Sequence, residues 1–172
     1  MTRWRSASAS FRTWRPRRHQ RAEGGSRLPL EEFLRGAVRD WQALRSGVDV
    51  TAHWSGPQPG PLIVAEQTVR QTLISLLNNA ADACPSGIEL DGSWDAAALT
   101  IEIRDRGDGL TADAQVRAGR EPFSTRGGEG RGMGLLLARS TVERLGGSVT
   151  LHNRPEGGAC TRIDLPLGPL LV

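Results

Sequence analysis

Three short motifs rich in asparagine, aspartate and glycine follow one another along this chain, and their settings restrict its fold more than any other feature. The first (LLNNAAD, residues 76–82) ends an apolar helix pattern. The second (DRGDG, residues 105–109) follows a strand pattern, and the third (GRGMGL, residues 130–135) precedes another helix pattern. A fold that brings these motifs together surrounds one pocket with polar side chains and free backbone N–H groups.

The motifs together favour a magnesium nucleotide as the ligand. The amide oxygen of Asn79 is a hard ligand that suits Mg²⁺, which prefers oxygen donors and shares phosphate oxygens. An ionised Asp105 only accepts hydrogen bonds, so it suits the exocyclic amine of adenine and disfavours the carbonyl of guanine. Gly107 and Gly109 allow a base to approach the backbone and permit positive φ. The glycines of the third motif precede a helix, whose first N–H groups can point at phosphates.

Composition excludes other nucleotide-binding classes. All 22 basic residues are arginine, whereas the Walker phosphate loop and the eukaryotic-type protein kinase site each need a lysine. A dinucleotide fingerprint also fails, because Leu135 stands where its third glycine belongs. Cys84 and Cys160 belong to no CxxC pattern, so they predict neither a disulfide framework nor a zinc site.

Positive charge is concentrated at the start of the chain. Residues 1–27 contain eight Arg and one Glu, whereas residues 28–172 contain fourteen Arg and eighteen acidic residues. Residues 1–27 have a composition typical of disorder, and three readings stay open: a solvated leader or linker remnant, a contact for nucleic acid or an acidic surface, and an organelle transit peptide.

We expect one domain over residues 28–168 and no specific nucleic-acid partner. No apolar run reaches the ~20 residues that cross a bilayer, so a soluble, cytoplasmic chain is expected.

Apolar periodicity predicts helices that alternate with strands. Helices are predicted at residues 30–44, 66–84 and 134–145, and strands at residues 48–54, 62–64, 88–94, 99–105, 148–153 and 161–165. The glycine-rich residues 107–133 are expected to form a long mobile loop, which in a compact domain usually has a functional reason. These elements predict an α/β (α+β) fold, a two-layer α/β sandwich in which a mixed, mostly antiparallel sheet packs on three helices.

At these motifs the chain resembles the ATP-binding catalytic domain of bacterial two-component sensor histidine kinases, whose superfamily includes gyrase, the large heat-shock chaperone and the mismatch-repair ATPase. Asn79 matches the asparagine of the family's N box, and residues 105–109 and 130–135 match its two glycine boxes. Residues 122–126 (PFSTR) match its phenylalanine box. The resemblance covers residues 28–166 and implies a Bergerat-type fold that binds ATP and Mg²⁺.

The resemblance also implies a role for each matching residue. Asp105 reads adenine, and Asn79 holds Mg²⁺ and takes part in catalysis. Residues 107–133 form a lid that carries Thr125 and Arg126. Arg126 approaches the terminal phosphate, where a cation stabilises the transferring phosphoryl group. The remaining implied nucleotide contacts are Gly107, Gly109, Gly130, Gly132, Gly134 and Leu135.

Two further positions on the helix of Asn79 bear on the chemistry. Asp82, about one helical turn beyond Asn79, is expected to touch the ribose or the waters of the metal, and the alternative is a solvated helix end. Ser75 stands four residues before Asn79, where the hydrolytic relatives and the anti-sigma serine kinases carry a glutamate base and sensor kinases usually carry asparagine. Serine is a poor base, so autonomous hydrolysis is not expected.

The chain lacks a recognisable phosphoacceptor motif. None of its histidines (His19, His53 and His152) is followed by the acid and the proline turn of that motif. We therefore expect a histidine kinase catalytic domain, a monomer, that phosphorylates a histidine on a separate or missing dimerisation domain and so acts on a response regulator. The alternatives are an anti-sigma-like serine kinase that doubles as a binding module and a non-catalytic ATP sensor.

Overall fold

The computed structural model describes residues 27–84, 86–117 and 133–171. Its helices are α1 (Leu30–Leu44), α2 (Gln67–Ala83), α3 (Ala112–Arg117) and α4 (Met133–Arg144). Its strands are β1 (Arg27–Pro29), β2 (Val50–Ser55), β3 (Leu62–Val64), β4 (Ile88–Trp94), β5 (Ala98–Arg104), β6 (Ser148–Asn153) and β7 (Ala159–Pro166). None of the described helices combines the length and the apolar character that crossing a bilayer requires.

The strands form one main sheet and one small sheet. The main sheet has five strands in the order β2-β4-β5-β7-β6. β2 and β4 are parallel, and the other neighbours pair in antiparallel register. β1 and β3 pair separately, and Leu171 adds a bridge at Ile63. The prediction of a two-layer α/β sandwich with a mixed, mostly antiparallel sheet is confirmed.

One apolar core lies between the main sheet and the helices α1, α2 and α4. Leu30 and Leu34, one helical turn apart on α1, are fully buried, and Ile101 and Ile103 alternate along β5 toward the same core. Fully burying one such side chain contributes about 1.5–3 kcal/mol. Because a slip of one residue along β5 would expose these side chains, the core fixes where β5 ends.

The opposite face of the sheet carries charged side chains in cross-strand register. Glu102 on β5 faces Arg162 on β7, whose Nη1 donates to Oε1 of Glu102 at 3.1 Å. A hydrogen bond from Arg104 holds the pKa of Glu102 below its ordinary value, and Arg162 does the same for the pKa of Asp164. Lowered carboxyl pKa values contribute stability above the unfolded pKa of about 4, and this stability is lost as the pH falls through the folded values. Partial exposure limits each pair to about 1 kcal/mol or less.

The main departure from the sequence prediction lies between residues 107 and 133. Ala112–Arg117 form α3, so the prediction of an irregular loop is wrong for these residues. The Oγ1 atom of Thr111 accepts a hydrogen bond from the N–H of Ala114 at 3.2 Å, which caps the helix start, and Asp113 pairs with Arg117 one turn later. Residues 118–132, which include most of the expected lid, lie outside the described residues.

The two cysteines are both free thiols, but their surroundings differ. Cys160 on β7 is 3% exposed, and burial raises the pKa of its thiol, whereas Cys84 beyond α2 is only half-buried. Since the thiolate is the reactive form, we expect Ellman's reagent at about pH 7 to modify Cys84 in the folded protein and Cys160 only after denaturation. Mass spectrometry of the labelled peptides identifies the site, and rapid labelling of Cys160 in the folded protein would contradict the expectation.

Candidate ATP-binding site

α2 ends in the amide-rich motif, and α1 braces that end. The indole Nε1 of Trp41 donates to Oδ1 of Asn78 at 3.0 Å, and Nη2 of Arg45 donates to Oδ1 of Asp82 at 3.0 Å. Trp41 is 1% exposed, so its N–H needs this partner. Asn78 therefore faces α1, while Asn79, turned about 100° around the helix, is exposed.

The partner of Asp82 bears on its expected role. Its side chain is about half exposed and is engaged by Arg45 in this structure. A contact of Asp82 with the ribose or with the waters of a metal stays a prediction.

Asp105 directly follows the end of β5. It is 7% exposed and is the only buried charged residue in the described part of the chain. Its Oδ1 accepts hydrogen bonds from the backbone N–H groups of Gly107 at 2.9 Å and Ala159 at 3.2 Å. The N–H of Asp105 in turn donates to the carbonyl of Ala159 at 3.0 Å. These bonds hold the carboxylate in place and leave Oδ2 with lone pairs for a donor on a ligand.

Gly107 brings the end of β5 against the end of α2. A side-chain carbon at residue 107 would lie 3.0 Å from the carbonyl oxygen of Ala83 and 3.2 Å from Oδ1 of Asp105. Ala83 lies four residues beyond Asn79, so the two share one face of α2. Asn79 and Asp105 therefore border the same face at the end of α2. Gly109 has a φ of +77°, a conformation that favours glycine.

The start of α4 lies on the other side of Asn79. A side-chain carbon at Gly134 would lie 2.5 Å from Oγ of Ser75 and 3.7 Å from Oδ1 of Asn79. Glycine at this position thus lets α4 begin directly against α2. The N–H groups of the first turn of a helix carry partial positive charge, so the start of α4 provides an environment for an anion beside the amide of Asn79.

Replacing Gly134 with alanine is expected to weaken the contact between α4 and α2. The new methyl group would displace the hydroxyl of Ser75, at a cost of about 1–2 kcal/mol, because inserting a methyl group into a packed contact forces its neighbours to shift. In the double variant Ser75→Ala/Gly134→Ala the Cβ of residue 75 lies 3.9 Å away, an ordinary contact. We therefore expect the double variant to recover the melting temperature of the Ser75→Ala protein in circular dichroism. A double variant as unstable as Gly134→Ala alone would contradict this explanation.

The remaining predicted site residues divide into two groups. Leu135, in the first turn of α4, packs against the apolar core, so its side chain supports the position of the helix. Four others lie outside the described residues, and their contacts with a nucleotide stay predictions: Thr125, Arg126, Gly130 and Gly132.

The turn between β6 and β7 contributes to the site in a way that was not predicted from the sequence. Gly158 has a φ of +82°, and a side-chain carbon there would lie 2.1 Å from the carbonyl oxygen of Asp105. Ala159, the next residue, provides one of the donors to the Asp105 carboxylate. The signal available in the sequence is the glycine pair directly before the last strand, since paired glycines often mark a close approach of two backbone segments.

The side chains at this face suit a metal ion that arrives with a nucleotide. The amide oxygen of exposed Asn79 is a hard donor, and the described ranges hold no group of three or more His, Cys, Asp or Glu that would form a dedicated metal cage. Mg²⁺ often takes only one or two protein ligands and completes its shell with phosphate oxygens and water. The donor set therefore fits Mg²⁺ bound to phosphates.

Known proteins with similar sequences are sensor kinases. The chain is 31% identical over 153 residues to the adaptive-response sensory kinase SasA of Synechococcus sp. (strain CC9311), covering 82% of this chain and 39% of SasA. It is 34% identical over 149 residues to the sensor protein KdpD of Escherichia coli (strain K12), covering 81% of this chain and 16% of KdpD. It is 31% identical over 167 residues to the sensor histidine kinase RegB of Cereibacter sphaeroides, covering 84% of this chain and 36% of RegB. The chain thus spans less than half the length of each of these relatives.

Solved structures with the same fold and a family model complete the comparison. The mycobacterial sensor histidine kinase MprB superposes with a TM-score of 0.66 at 18% identity, covering 82% of this chain and 97% of that chain. The catalytic domain of histidine kinase ThkA superposes with a TM-score of 0.66 at 19% identity, covering 82% of this chain and 94% of that chain. Residues 64–169 match the model of the histidine kinase-, DNA gyrase B- and HSP90-like ATPases. The chain therefore belongs to this family, as an ATP-binding catalytic domain of the kind found in sensor histidine kinases.

Proposed function

We propose that this domain binds ATP together with Mg²⁺ at the face of α2 between Asp105 and Asn79. In this proposal the γ-phosphoryl group passes to a histidine on a separate acceptor domain or protein. One observation carries the proposal: the buried carboxylate of Asp105, the exposed amide of Asn79 and the start of α4 border one face of α2.

Each of these groups meets a different part of the nucleotide. Oδ2 of Asp105 accepts the hydrogen bond of the adenine amine, while Gly107, held against Ala83, lets the base approach the backbone. The first turn of α4 faces the phosphates. Asn79 holds Mg²⁺, which neutralises part of the phosphate charge when bound. The transfer is thus supported by positioning and electrostatic stabilisation of the nucleotide.

The serine at position 75 is a poor general base, so the phosphoryl acceptor should itself be a good nucleophile. Ser75 packs its hydroxyl against Gly134, and serine does not activate water or a hydroxyl group as a carboxylate does. Neutral imidazole has a nucleophilic nitrogen near physiological pH. Its lone pair attacks the γ-phosphorus while the bond from that phosphorus to the β,γ-bridging oxygen breaks. The products are ADP and phosphohistidine, and the imidazole proton passes to solvent.

Transfer to a supplied acceptor tests the proposal. The domain is incubated with γ-labelled ATP, Mg²⁺ and a dimeric helical hairpin that carries a histidine acceptor, and a hairpin in which alanine replaces that histidine is the control. We expect label on the histidine hairpin only, stable in base and lost in acid. Label that is stable in acid and lost in base would indicate a serine kinase, and bound ATP with no transfer would indicate a nucleotide sensor; either result would contradict the proposed reaction.

The relatives support a proposal about the partners of this domain. SasA, KdpD and RegB are sensor kinases, and kinases of this kind pass the phosphoryl group to a response regulator. We propose the same order for this domain: a histidine-bearing dimerisation domain first, and a response regulator second.

A further inference from the structure

The end of β6 and the turn after it hold the backbone that carries the carboxylate of Asp105. The side-chain amide of Asn153 forms a pair of hydrogen bonds with the backbone of Leu110, accepting from its N–H at 2.7 Å and donating to its carbonyl at 2.9 Å. At the other end of the same loop, Nη1 of Arg154 donates to the carbonyl of Asp105 at 3.2 Å. Two adjacent side chains thus hold both ends of the loop of residues 105–110.

The guanidinium of Arg154 is well fixed. Its side chain is 10% exposed, and Nε and Nη2 both donate to Oε1 of Glu156, at 3.1 and 2.7 Å. The backbone N–H of Arg154 donates to the carbonyl of Gly158 at 3.0 Å, which closes the turn. A largely covered cation whose donors point in fixed directions orients its acceptor more strictly than an exposed ion pair does.

Asn153 fixes the loop through a different contact. Its Oδ1 would lie 3.0 Å from a side-chain carbon at Gly109, so the amide is packed against the loop as well as hydrogen-bonded to it. A side-chain amide that both donates to and accepts from one backbone residue replaces a rung of a β-ladder. The loop after β5 is therefore held as if it were paired with a further strand.

We propose that Asn153 and Arg154 are positioning residues for adenine recognition, which act by holding the backbone of residues 105–110 so that Oδ2 of Asp105 points at the base. This inference rests on the proposed ATP site. It assigns to the end of β6 and the turn after it a part in choosing adenine over guanine, although neither side chain touches the nucleotide in the proposed site. A displacement of about 1 Å at a recognition group is enough to lose much of its selectivity.

Selectivity for ATP over GTP tests this inference, because a general loss of stability lowers both affinities alike. The full chain carrying Arg154→Met is compared with the wild type and with Arg162→Met, which removes a more exposed arginine from an ion-pair network on the same sheet without contacting Asp105. We expect the ratio of ATP to GTP affinity to fall about fivefold or more in Arg154→Met and to stay within about twofold in Arg162→Met, since only the former releases the recognition loop. Arg154→Lys, which keeps a donor for the carbonyl, is expected to recover part of the ratio.

A double variant separates a positioning role from a structural one. In the Asp105→Asn background, Arg154→Met should change the ratio little further, because both substitutions disturb one contact. The inference would be overturned, with the ATP site left intact, by an unchanged ratio of ATP to GTP affinity in Arg154→Met. It would also be overturned if the effects of Arg154→Met and Asp105→Asn on this ratio added fully. Wild-type selectivity in Asp105→Asn would instead overturn the proposed adenine contact itself. If Arg154→Met does not fold, Asn153→Ala is measured in the same way, and an unchanged ratio there has the same meaning.

Discussion

Asp105→Asn is expected to weaken ATP binding by about 10- to 150-fold, which corresponds to the roughly 1.5–3 kcal/mol that a hydrogen bond to a charged group contributes. In the wild type the N–H groups of Gly107 and Ala159 donate to Oδ1 of Asp105. Asparagine has nearly the same shape as aspartate and keeps an oxygen for these two donors. The other position of the amide is an NH₂ group, and it would face the adenine amine, donor against donor. The loss should therefore appear in affinity rather than in folding.

The matched control for this prediction is Asp108→Asn, which removes the same charge from an exposed residue three positions along the loop. Titration with a fluorescent ATP analogue in the presence of Mg²⁺ measures both variants. We expect Asp108→Asn to bind within about twofold of the wild type, because exposed charges contribute little at ordinary salt. Equal affinities for Asp105→Asn and the wild type would remove Asp105 from the site.

Among glycine-to-alanine substitutions in the described part of the chain, Gly158→Ala is expected to be the most destabilising. The residue has a φ of +82°, and the new carbon would lie 2.1 Å from the carbonyl oxygen of Asp105. The left-handed conformation costs about 1–3 kcal/mol for a residue other than glycine, and the overlap with backbone adds a similar amount. We therefore expect a loss of about 2–5 kcal/mol in the free energy of unfolding, measured by urea titration.

Substitutions at two other glycines separate the cost of the positive φ from the cost of the contact with Asp105. Gly157 also has a positive φ, +99°, but a side-chain carbon there meets nothing within 4 Å, and Gly168 has neither a positive φ nor a contact. Gly157→Ala should therefore lose only the conformational part, about 1–3 kcal/mol, and Gly168→Ala should be nearly neutral. Equal effects at residues 157 and 158 would mean that the contact with Asp105 is not the source of the loss.

Most regular elements were predictable from the sequence because their signals are local, whereas strand β1 (Arg27–Pro29) was not predicted. The apolar residues from Leu30 repeat at helical spacing, and α1 covers Leu30–Leu44 as predicted. β3 likewise covers the predicted Leu62–Val64. Strand ends were less accurate: β7 covers Ala159–Pro166, whereas the prediction began at residue 161. Cys160 pairs with β5 and β6, and Ala159 pairs with β6, through contacts that no local pattern reveals.

The parts of the site that escaped prediction depend on contacts between distant segments. Asn153 bonds Leu110, and Arg154 bonds Asp105, across 43 and 49 residues of chain. An isolated Asn-Arg pair before a proline carries no sequence signal for either role. The short helix α3 was missed for a different reason, because a single turn or two of helix next to a glycine-rich stretch has too little apolar periodicity to detect.

In the proposed site, Asp105 and Asn79 bind two ends of one nucleotide. The most direct measurement is the affinity of the wild type, Asp105→Asn and Asn79→Ala for ATP, by isothermal titration calorimetry, with excess Mg²⁺ and then with excess EDTA. We expect Asp105→Asn to bind ATP more weakly in both conditions, whereas Asn79→Ala should bind ATP more weakly only when Mg²⁺ is present. Wild-type affinity of Asn79→Ala for ATP in excess Mg²⁺, or a loss of the same size in EDTA, would contradict this expectation.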